Sequence, residues 1–196
     1  MTRRIASLLS AVVFLSVAGL ASATPVIDQD QPSGPQYMAA FAQTDLAQSF
    51  QQAQNNVAGA GILLQPDIGS SDTVTISLWD NLPTLGGSLL ASSSAVGTAG
   101  SWVDVFWSPV AVTPDTTLYL VFTSANDTLG ITGDVYNPYP RGQVYANGGF
   151  GSFPAFDYAF RTYYDGTVAA VPVPGAVLLG VIGTGLAGCL RRRRIL

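Results

Sequence analysis

Alternating apolar and polar residues predict β-strands through most of the chain. In DTVTISLWD (72–80), Val74, Ile76 and Leu78 alternate with threonine and serine, which is the period of a strand with one buried face. Related stretches are SWVDVFW (101–107), TTLYLVFTS (116–124), FDYAFRTYY (156–164) and, less regularly, VAGAGILLQ (57–65) and GSLLASSSAV (87–96). Turn-forming residues separate them. Short strands at this spacing predict an all-β fold, an antiparallel β-sandwich or jelly roll.

The first 23 residues have the layout of a secretory signal peptide. Arg3 and Arg4 precede an apolar run from Ile5 to Leu20, and Ala21 and Ala23 form a small-x-small cleavage site. A positive start, an apolar middle and small residues at the cut are the three parts of such a signal. We expect a signal helix that is removed before Thr24; the alternative is an uncleaved membrane anchor.

The last residues predict a transmembrane helix with a positive end. The run from Gly175 to Leu190 has 16 uncharged residues and is followed by four arginines. A full span needs about 20 residues, and about 17 is the lower limit, so flanking residues must contribute. Arginines resist translocation. These four, Arg191, Arg192, Arg193 and Arg194, therefore predict a cytoplasmic C-terminus.

Charge is distributed unevenly along the chain. It has eight arginines, twelve aspartates and no lysine, glutamate or histidine. Six arginines belong to the two terminal segments, so the body carries two arginines against twelve aspartates, a net charge of −10. Such a surface repels phosphate backbones and excludes nucleic acid as a partner. Without histidine, Ser-His-Asp catalysis is excluded, as are imidazole metal ligands.

The single cysteine, Cys189, lies in the C-terminal apolar run. The body can therefore contain neither a disulfide nor a cysteine zinc site. Cys189 itself is either lipidated at the membrane edge or serves as a small apolar residue.

The C-terminal segment resembles the PEP-CTERM sorting signal of exported bacterial proteins. The resemblance rests on the Pro-x-Pro of Val171, Pro172, Val173, Pro174 and Gly175, the short apolar run and the terminal arginines. Val173 occupies the position of the glutamate that names the family. The resemblance implies recognition by an exosortase, a membrane-embedded transpeptidase-like enzyme that cuts near the Pro-x-Pro. A permanent tail anchor is the alternative.

The body, from about Ala39 to Tyr164, resembles in its strand pattern the jelly-roll ectodomains that precede such tails, often described as choice-of-anchor domains. The resemblance implies a fold and a location at the cell surface. The predicted organisation is a signal peptide (1–23), a polar linker (24–36), a β-sandwich ectodomain (37–165), a spacer with the Pro-x-Pro (166–174) and an anchor with its arginine cluster (175–196).

The most aromatic loop-like stretch is DVYNPYPRGQVYANGGFGSFPAFD (134–157). Exposed aromatic rings stack on sugars, and loops on a rigid sandwich concentrate function. The candidate glycan-binding residues are Tyr136, Tyr139, Arg141, Tyr145 and Asn147, with Phe150 and Phe153 beside them. Alternatively, these aromatic residues close one end of the core and Arg141 pairs with Asp134 or Asp157.

The aspartates suggest two further kinds of site. Asp104, Asp134 and Asp157 could form a carboxylate pair for glycoside hydrolysis, but aspartates in turns usually cap the chain, and we predict no catalytic residue and no enzyme. No cofactor is indicated. A structural Ca²⁺ is the one metal to consider, although no Asp-x-Asp-x-Asp loop occurs. Its candidate ligands are Asp72, Asp80, Asp115, Asp127 and Asp157.

Taken together, these features predict an exported protein that is first anchored in the membrane and then, after processing, reaches the cell surface or extracellular matrix. Its expected role is structural or adhesive. The alternative is a carbohydrate-binding module, with extracellular polysaccharide as its partner.

Overall fold

A computed structural model of the protein describes residues 24–167. The predicted signal peptide, Pro-x-Pro motif, anchor and arginine cluster lie outside these residues. Within 24–167 no helix is long and apolar enough to cross a membrane, and the one helical segment is a 3-10 turn, Pro83–Leu85.

The described chain is all-β, as predicted, and every strand pair is antiparallel. Its strands are β1 (Pro25–Gln31), β2 (Gln36–Ala40), β3 (Leu46–Gln51), β4 (Asn56–Leu63), β5 (Ser71–Trp79), β6 (Leu89–Thr98), β7 (Trp102–Ala111), β8 (Thr117–Ser124), β9 (Gly130–Asp134), β10 (Val144–Ala146), β11 (Gly151–Phe153), β12 (Asp157–Tyr158) and β13 (Phe160–Asp165).

The strands form three sheets. The larger ones have the orders β11-β10-β3-β8-β5-β6 and β1-β13-β4-β7, and the third is β12-β9-β2. The chain switches repeatedly between them, so most contacts join residues far apart in sequence.

One apolar core lies between the inward faces of these sheets. On β5 the residues Val74, Ile76 and Leu78 are fully buried, which confirms the face that the alternation predicted. On β7, Val103 and Val105 are buried in the same way. Burial of each such side chain contributes about 1.5–3 kcal/mol, and the core has no disulfide among the described residues to support it.

The predicted linker at 24–36 is wrong for most of its length. Residues Pro25–Gln31 form β1, which pairs with β13 along the edge of the four-stranded sheet. Its buried residues are polar and its apolar residues are exposed: Gln29 and Gln31 are buried, whereas Val26 and Ile27 are exposed. The buried glutamines are hydrogen-bonded, Gln29 N–H to Thr162 Oγ1 and Gln31 Nε2 to the Tyr158 carbonyl. Polar composition indicated a linker, but pairing with the far end of the described chain makes a strand.

The stretch FDYAFRTYY also differs from its predicted form. Its alternation predicts one strand, but the segment divides at Ala159 into β12 and β13. The two strands belong to different sheets. Asp157, Tyr158, Ala159 and Phe160 are therefore all buried, since this segment crosses the core from one sheet to another.

Candidate functional site

The outer face of the six-stranded sheet carries a half-buried tyrosine pair. The rings of Tyr119 and Tyr145 lie edge to face, with their centroids 5.8 Å apart. They pack with Val121 against three buried residues, Ala47, Leu82 and Phe150. We call these six residues the outer-face cluster. It is separate from the main core, on the other side of the sheet.

Strand alternation places the two tyrosines there. On β8, Leu118 and Leu120 are buried in the core, so Tyr119 and Val121 point to the opposite face. Pairing then brings the strands together: Ala47 on β3 is the partner of both Val121 and Tyr145. Directly opposite residues in an antiparallel pair share a face and make side-chain contact.

Two loops border the cluster. In the turn between β10 and β11, Phe150 has a left-handed backbone (φ 57°) and is buried against the sheet. Asp45 holds this turn by accepting a hydrogen bond from the Gly149 N–H at 2.6 Å. On the other side, the loop after β5 supplies the buried Leu82. Tyr119 and Tyr145 stay partly exposed in the same outer face.

Hydroxyl groups continue this face toward β6. Thr75 and Ser94 are hydrogen-bonded at 2.7 Å, and Ser77 and Ser92 at 2.9 Å. Asp72 is the only charged residue in the six strands of this sheet, and it is buried. Burial raises the pKa of Tyr119, and neighbouring Tyr145 raises it further, so this phenol stays neutral. The strands of this face therefore offer aromatic rings and hydroxyls without an exposed charge, and the Asp45 carboxylate lies in a bordering loop.

The structure does not bring the five predicted glycan-binding residues together. Tyr139 is a core residue: it is 8% exposed, its ring meets Phe160 edge to face at 5.0 Å, and its hydroxyl donates to Gln29 Oε1 at 2.9 Å. Burial raises the pKa of Tyr139. The expectation of an exposed ring here was wrong because polar groups of β1 and β3 satisfy its hydroxyl inside the fold.

The other predicted residues lie at separate places. Tyr136 is 83% exposed in the loop after β9, and Asn147 occupies a left-handed position (φ 65°) in the turn before β11. Arg141 forms an ion pair with Asp115 and donates to Gln51 Oε1 at 3.2 Å. Its partner is therefore neither Asp134 nor Asp157. Of the five, Tyr145 belongs to the outer-face cluster, and Asn147 begins the turn beside it.

The neighbouring aromatic residues Phe150 and Phe153 are also built into the fold. Phe150 belongs to the outer-face cluster, and Phe153 stacks on Phe156 at 5.9 Å. A shallow apolar hollow of about 150 Å³ lies beside this stacked pair, in the segment from Ser152 to Phe156.

Asp134 and Asp157 are neighbours, as partners in the β9–β12 pair. Both are buried, and each accepts one hydrogen bond from a backbone N–H and one from a side chain. Asp134 accepts from the Ser33 hydroxyl at 2.6 Å and from the Tyr136 N–H at 2.9 Å, and these bonds lower its pKa. Asp157 accepts from the Tyr139 N–H at 3.0 Å and from Gln48 Nε2 at 2.9 Å; burial nevertheless raises its pKa. Their oxygens hold the 135–139 loop in place.

Asp104, the third acidic candidate, belongs to a different sheet from this pair: it lies on β7, on the outer face of the four-stranded sheet. Both of its oxygens accept from the Arg161 guanidinium, and the Tyr163 hydroxyl donates to Oδ1 at 2.9 Å. The arginine stacks over Trp102 at 4.2 Å. A carboxylate fully engaged with an arginine and a phenol is a structural group.

The calcium candidates are dispersed over the fold. No group of three acidic residues that could hold a metal ion occurs between residues 24 and 167. Asp72 accepts from the N–H groups of Asn126 at 2.9 Å and Thr73 at 2.8 Å, Asp80 accepts from the Ser88 N–H, and Asp115 pairs with Arg141. Oxygens that accept hydrogen bonds from donors have few lone pairs left for a cation.

Tyr119 and Trp79 are not among the glycan-binding residues predicted from the sequence, and the structure adds them to the surface around Tyr145. Trp79 on β5 is the cross-strand partner of Tyr119 on β8. A usable signal existed, because the alternation that buries Leu78 and Leu120 also turns these two aromatic residues outward. What the sequence could not give was the pairing of β8 with β5 and β3.

The chain matches no protein-family model, and no curated protein is significantly similar to it.

Proposed function

We propose that this protein is exported, processed at its Pro-x-Pro by an exosortase-type enzyme, and retained at the cell surface or matrix as a structural or adhesive β-protein. The observation that carries the proposal is the fit between the two terminal signals and the fold. β1 begins at Pro25, directly after the predicted cleavage site, and β13 ends at Asp165, before Val171. The described strands therefore lie between the two predicted signals in the sequence.

The position of the two domain ends supports this arrangement. Pro25 and Asp165 are cross-strand partners at the edge of the four-stranded sheet. The chain therefore enters and leaves the domain at one place. An anchor attached there would tether the domain through β13. Strand β6 and the outer-face cluster belong to the other large sheet and would stay away from the point of attachment.

The finer architecture that we propose is a β-sandwich of the jelly-roll type, with the two larger sheets as its layers. Phe50 of the six-stranded sheet and Phe160 of the four-stranded sheet have ring centroids 6.3 Å apart. Contact between inward residues of two sheets is typical of the shared core of a sandwich.

Mass spectrometry of the protein recovered from the surface of the native cell tests the sorting proposal. We expect a mature N-terminus at Thr24 and a C-terminus within the segment Val171–Gly175. The double variant Pro172→Ala/Pro174→Ala should retain its C-terminal arginines, whereas the control Pro154→Ala, in an exposed loop, should be processed normally. Surface protein that keeps Arg191–Arg194 in the unaltered chain would refute processing and leave a permanent anchor.

A second candidate function, binding of a neutral polysaccharide, is favoured by the outer-face cluster. Aromatic side chains with partly exposed rings offer stacking area, and the hydroxyl pairs beside them offer hydrogen bonds. The absence of exposed charge on the strands of this face, in a domain of net charge −10, favours an uncharged ligand over an acidic one.

A glycan array with the full chain tests this second function. We expect saturable binding of a neutral glycan that falls at least tenfold in Tyr145→Ala and in Tyr119→Ala. Tyr136→Ala is the matched control, since this ring is more exposed but lies outside the cluster. Loss of binding in the control alone would move the site to the 135–138 loop, and no binding to any glycan would leave the structural role.

A further inference from the structure

Strand β6 is a long, open sheet edge. It runs for ten residues, Leu89–Thr98, and pairs only with β5. Within residues 24–167, no strand pairs with its other side. Six of its residues are exposed, two at its start and the others at alternate positions, including Leu89 (53%) and Val96 (73%). Strand β7 of the four-stranded sheet lies beside β6 but is not paired with it. One row of the β6 backbone N–H and C=O groups therefore has no strand partner within residues 24–167.

This edge lacks the features that usually prevent association. Natural edge strands are short or carry charges and prolines. Strand β1 begins with Pro25 and contains Asp28 and Asp30, β7 contains Asp104 and Pro109, and β11 has three residues. The sequence of β6, LLASSSAVGT, has no charged residue and no proline. Of the four edges of the two larger sheets, β6 alone is both long and unprotected.

The side chains of β6 are also self-complementary. Around Ser93 the sequence reads the same in size and polarity in both directions: Ser92 and Ser94 flank it, then Ala91 and Ala95, then Leu90 and Val96. Two antiparallel copies related by a two-fold axis at Ser93 would therefore align serine with serine, alanine with alanine and leucine with valine.

We propose that β6 is a homodimerisation strand, which pairs antiparallel with β6 of a second copy through a two-fold axis at Ser93. The six-stranded sheets of the two copies then join into one continuous sheet. An isologous contact of this kind uses the same patch on both copies, and added strands are held by main-chain hydrogen bonds.

Exposure of the two apolar residues supports this register. Leu90 and Val96 are 36% and 73% exposed in the single chain, and both become covered when each lies opposite the other across the axis. Directly opposite side chains in antiparallel strands have Cβ atoms about 4.5–5.5 Å apart. The pairing therefore removes two exposed apolar side chains per copy, Leu90 and Val96, from water.

The domain ends leave room for this contact. Residues Thr24 and Thr167, where the described chain begins and ends, lie by β1 and β13, at the edge opposite β7 in the four-stranded sheet. Strand β6 lies beside β7. The pairing edge and the chain ends are therefore on different sides of the domain, and the dimer does not depend on how the chain is sorted.

Cysteine cross-linking of the full chain tests the axis, in a Cys189→Ala background that removes the native thiol. Paired Cα atoms in antiparallel strands are about 4.5–5.5 Å apart, which is within the range that a disulfide spans. We expect Ser93→Cys to form covalent dimers under mild oxidation. We expect neither Leu90→Cys nor Val96→Cys to cross-link alone, because identical residues are then about 20 Å apart along the strand, but a mixture of the two should.

Charge provides an independent test that needs no oxidation. Val96→Lys should lower the dimer fraction of the full chain in sedimentation at least tenfold, and Val96→Lys combined with Leu90→Asp should restore it, because each lysine then faces an aspartate. Leu85→Lys, an equally exposed change outside the strand, should leave dimerisation unaltered. Unchanged thermal unfolding of each variant would show that the fold is intact.

The proposal is overturned if Ser93→Cys gives no covalent dimer, or if Leu90→Cys alone cross-links as readily as Ser93→Cys. A chain that sediments as a monomer at every accessible concentration would likewise overturn it. Equal loss of dimer in Leu85→Lys and Val96→Lys would show a general charge effect and would also count against the strand.

Discussion

Arg161 donates to both carboxylate oxygens of Asp104 across β4, which lies between their strands. The two side chains meet because Gly61, on the intervening strand, has no side chain; a Cβ there would collide with Asp104. The ion pair is mostly buried, with 20% and 24% of the two side chains exposed. The second ion pair of the protein within residues 24–167 joins Arg141 and Asp115 and is more exposed, with 74% of the Asp115 side chain accessible.

This difference predicts unequal effects of the same substitution. Arg161→Lys removes the bidentate hydrogen bonds to Asp104 and the stacking on Trp102, and lysine can replace neither. The free energy of unfolding should therefore fall by about 1–3 kcal/mol. Arg141→Lys should change it by at most about 0.5 kcal/mol, since exposed ion pairs contribute little. Urea unfolding of both variants measures the contrast; equal losses would contradict it.

A second prediction concerns the close approach of strands at Gly59. A Cβ at this position would lie 2.6 Å from the Val105 carbonyl oxygen and 2.7 Å from the Phe106 ring. The carbonyl belongs to a paired strand and cannot move aside freely, so Gly59→Ala should destabilise the fold by about 2–3 kcal/mol or more. Gly148→Ala, where a Cβ meets nothing within 4 Å, is the control and should unfold like the parent chain. A stable Gly59→Ala variant would show that β7 can shift.

A third prediction separates two of the three tyrosines in the 134–157 stretch, Tyr136 and Tyr139. Tyr139→Phe removes a hydroxyl that donates to Gln29 and accepts from the Gln51 N–H at 3.2 Å. Gln29 Oε1 and the Gln51 N–H each lose a hydrogen-bond partner, so the free energy of unfolding should fall by about 1–2 kcal/mol. Tyr136→Phe should have no measurable effect, since that side chain is exposed. Chemical unfolding distinguishes the two, and glycan binding, where present, should be unaltered by either.

A fourth prediction follows from Asp72. Burial alone would raise its pKa, but hydrogen bonds from the Asn126 backbone and side chain and from the Thr73 N–H outweigh it and lower the pKa from 3.8 to about 2. Because the folded-state pKa lies below the ordinary one, the carboxylate stabilises the fold above pH 3.8. That contribution is lost as the pH falls from 3.8 toward 2.

Asp72→Asn should therefore unfold more easily than the parent chain at pH 7, by about 1–2 kcal/mol, and the gap should close as the pH falls through this window. Free energies of unfolding measured at pH 7, 4 and 2 give the test. Asp67→Asn, at an exposed residue with no hydrogen bond to its carboxylate among the described residues, is the control. A gap that stays constant down to pH 2 would exclude the charge of Asp72 as its cause.

Much of the strand content was predictable because alternation is a local property. The stretches that became β5, β7 and β8 had apolar residues on one face, and any sheet would bury that face. Weakly patterned strands were not predictable. β9 is GITGD, and β10 and β11 have three residues each, so their period is too short to detect. β9 and β10 form because strands distant in sequence pair with them, β2 with β9 and β3 with β10.

The candidate site was predicted only in part for the same reason. Tyr136, Tyr139 and Tyr145 have similar neighbours in sequence, yet one is exposed, one is in the core and one belongs to the outer-face cluster. Their different fates depend on Gln29, Gln51, Ala47 and Tyr119, which reach them from other strands. Short-range sequence carries no information about such partners.

By itself, the sequence determined that the described body is all-β, which faces of its most regular strands are apolar, and that its aspartates outnumber its arginines. These are properties of composition and of a two-residue period. Only the tertiary structure decided that Pro25–Gln31 is a strand, that Arg161 pairs with Asp104 across Gly61, and that β6 has no strand on its second side within residues 24–167. The physical reason is that hydrogen-bond pairing between strands joins residues distant in the chain, and the partner, rather than the segment, determines what each segment becomes.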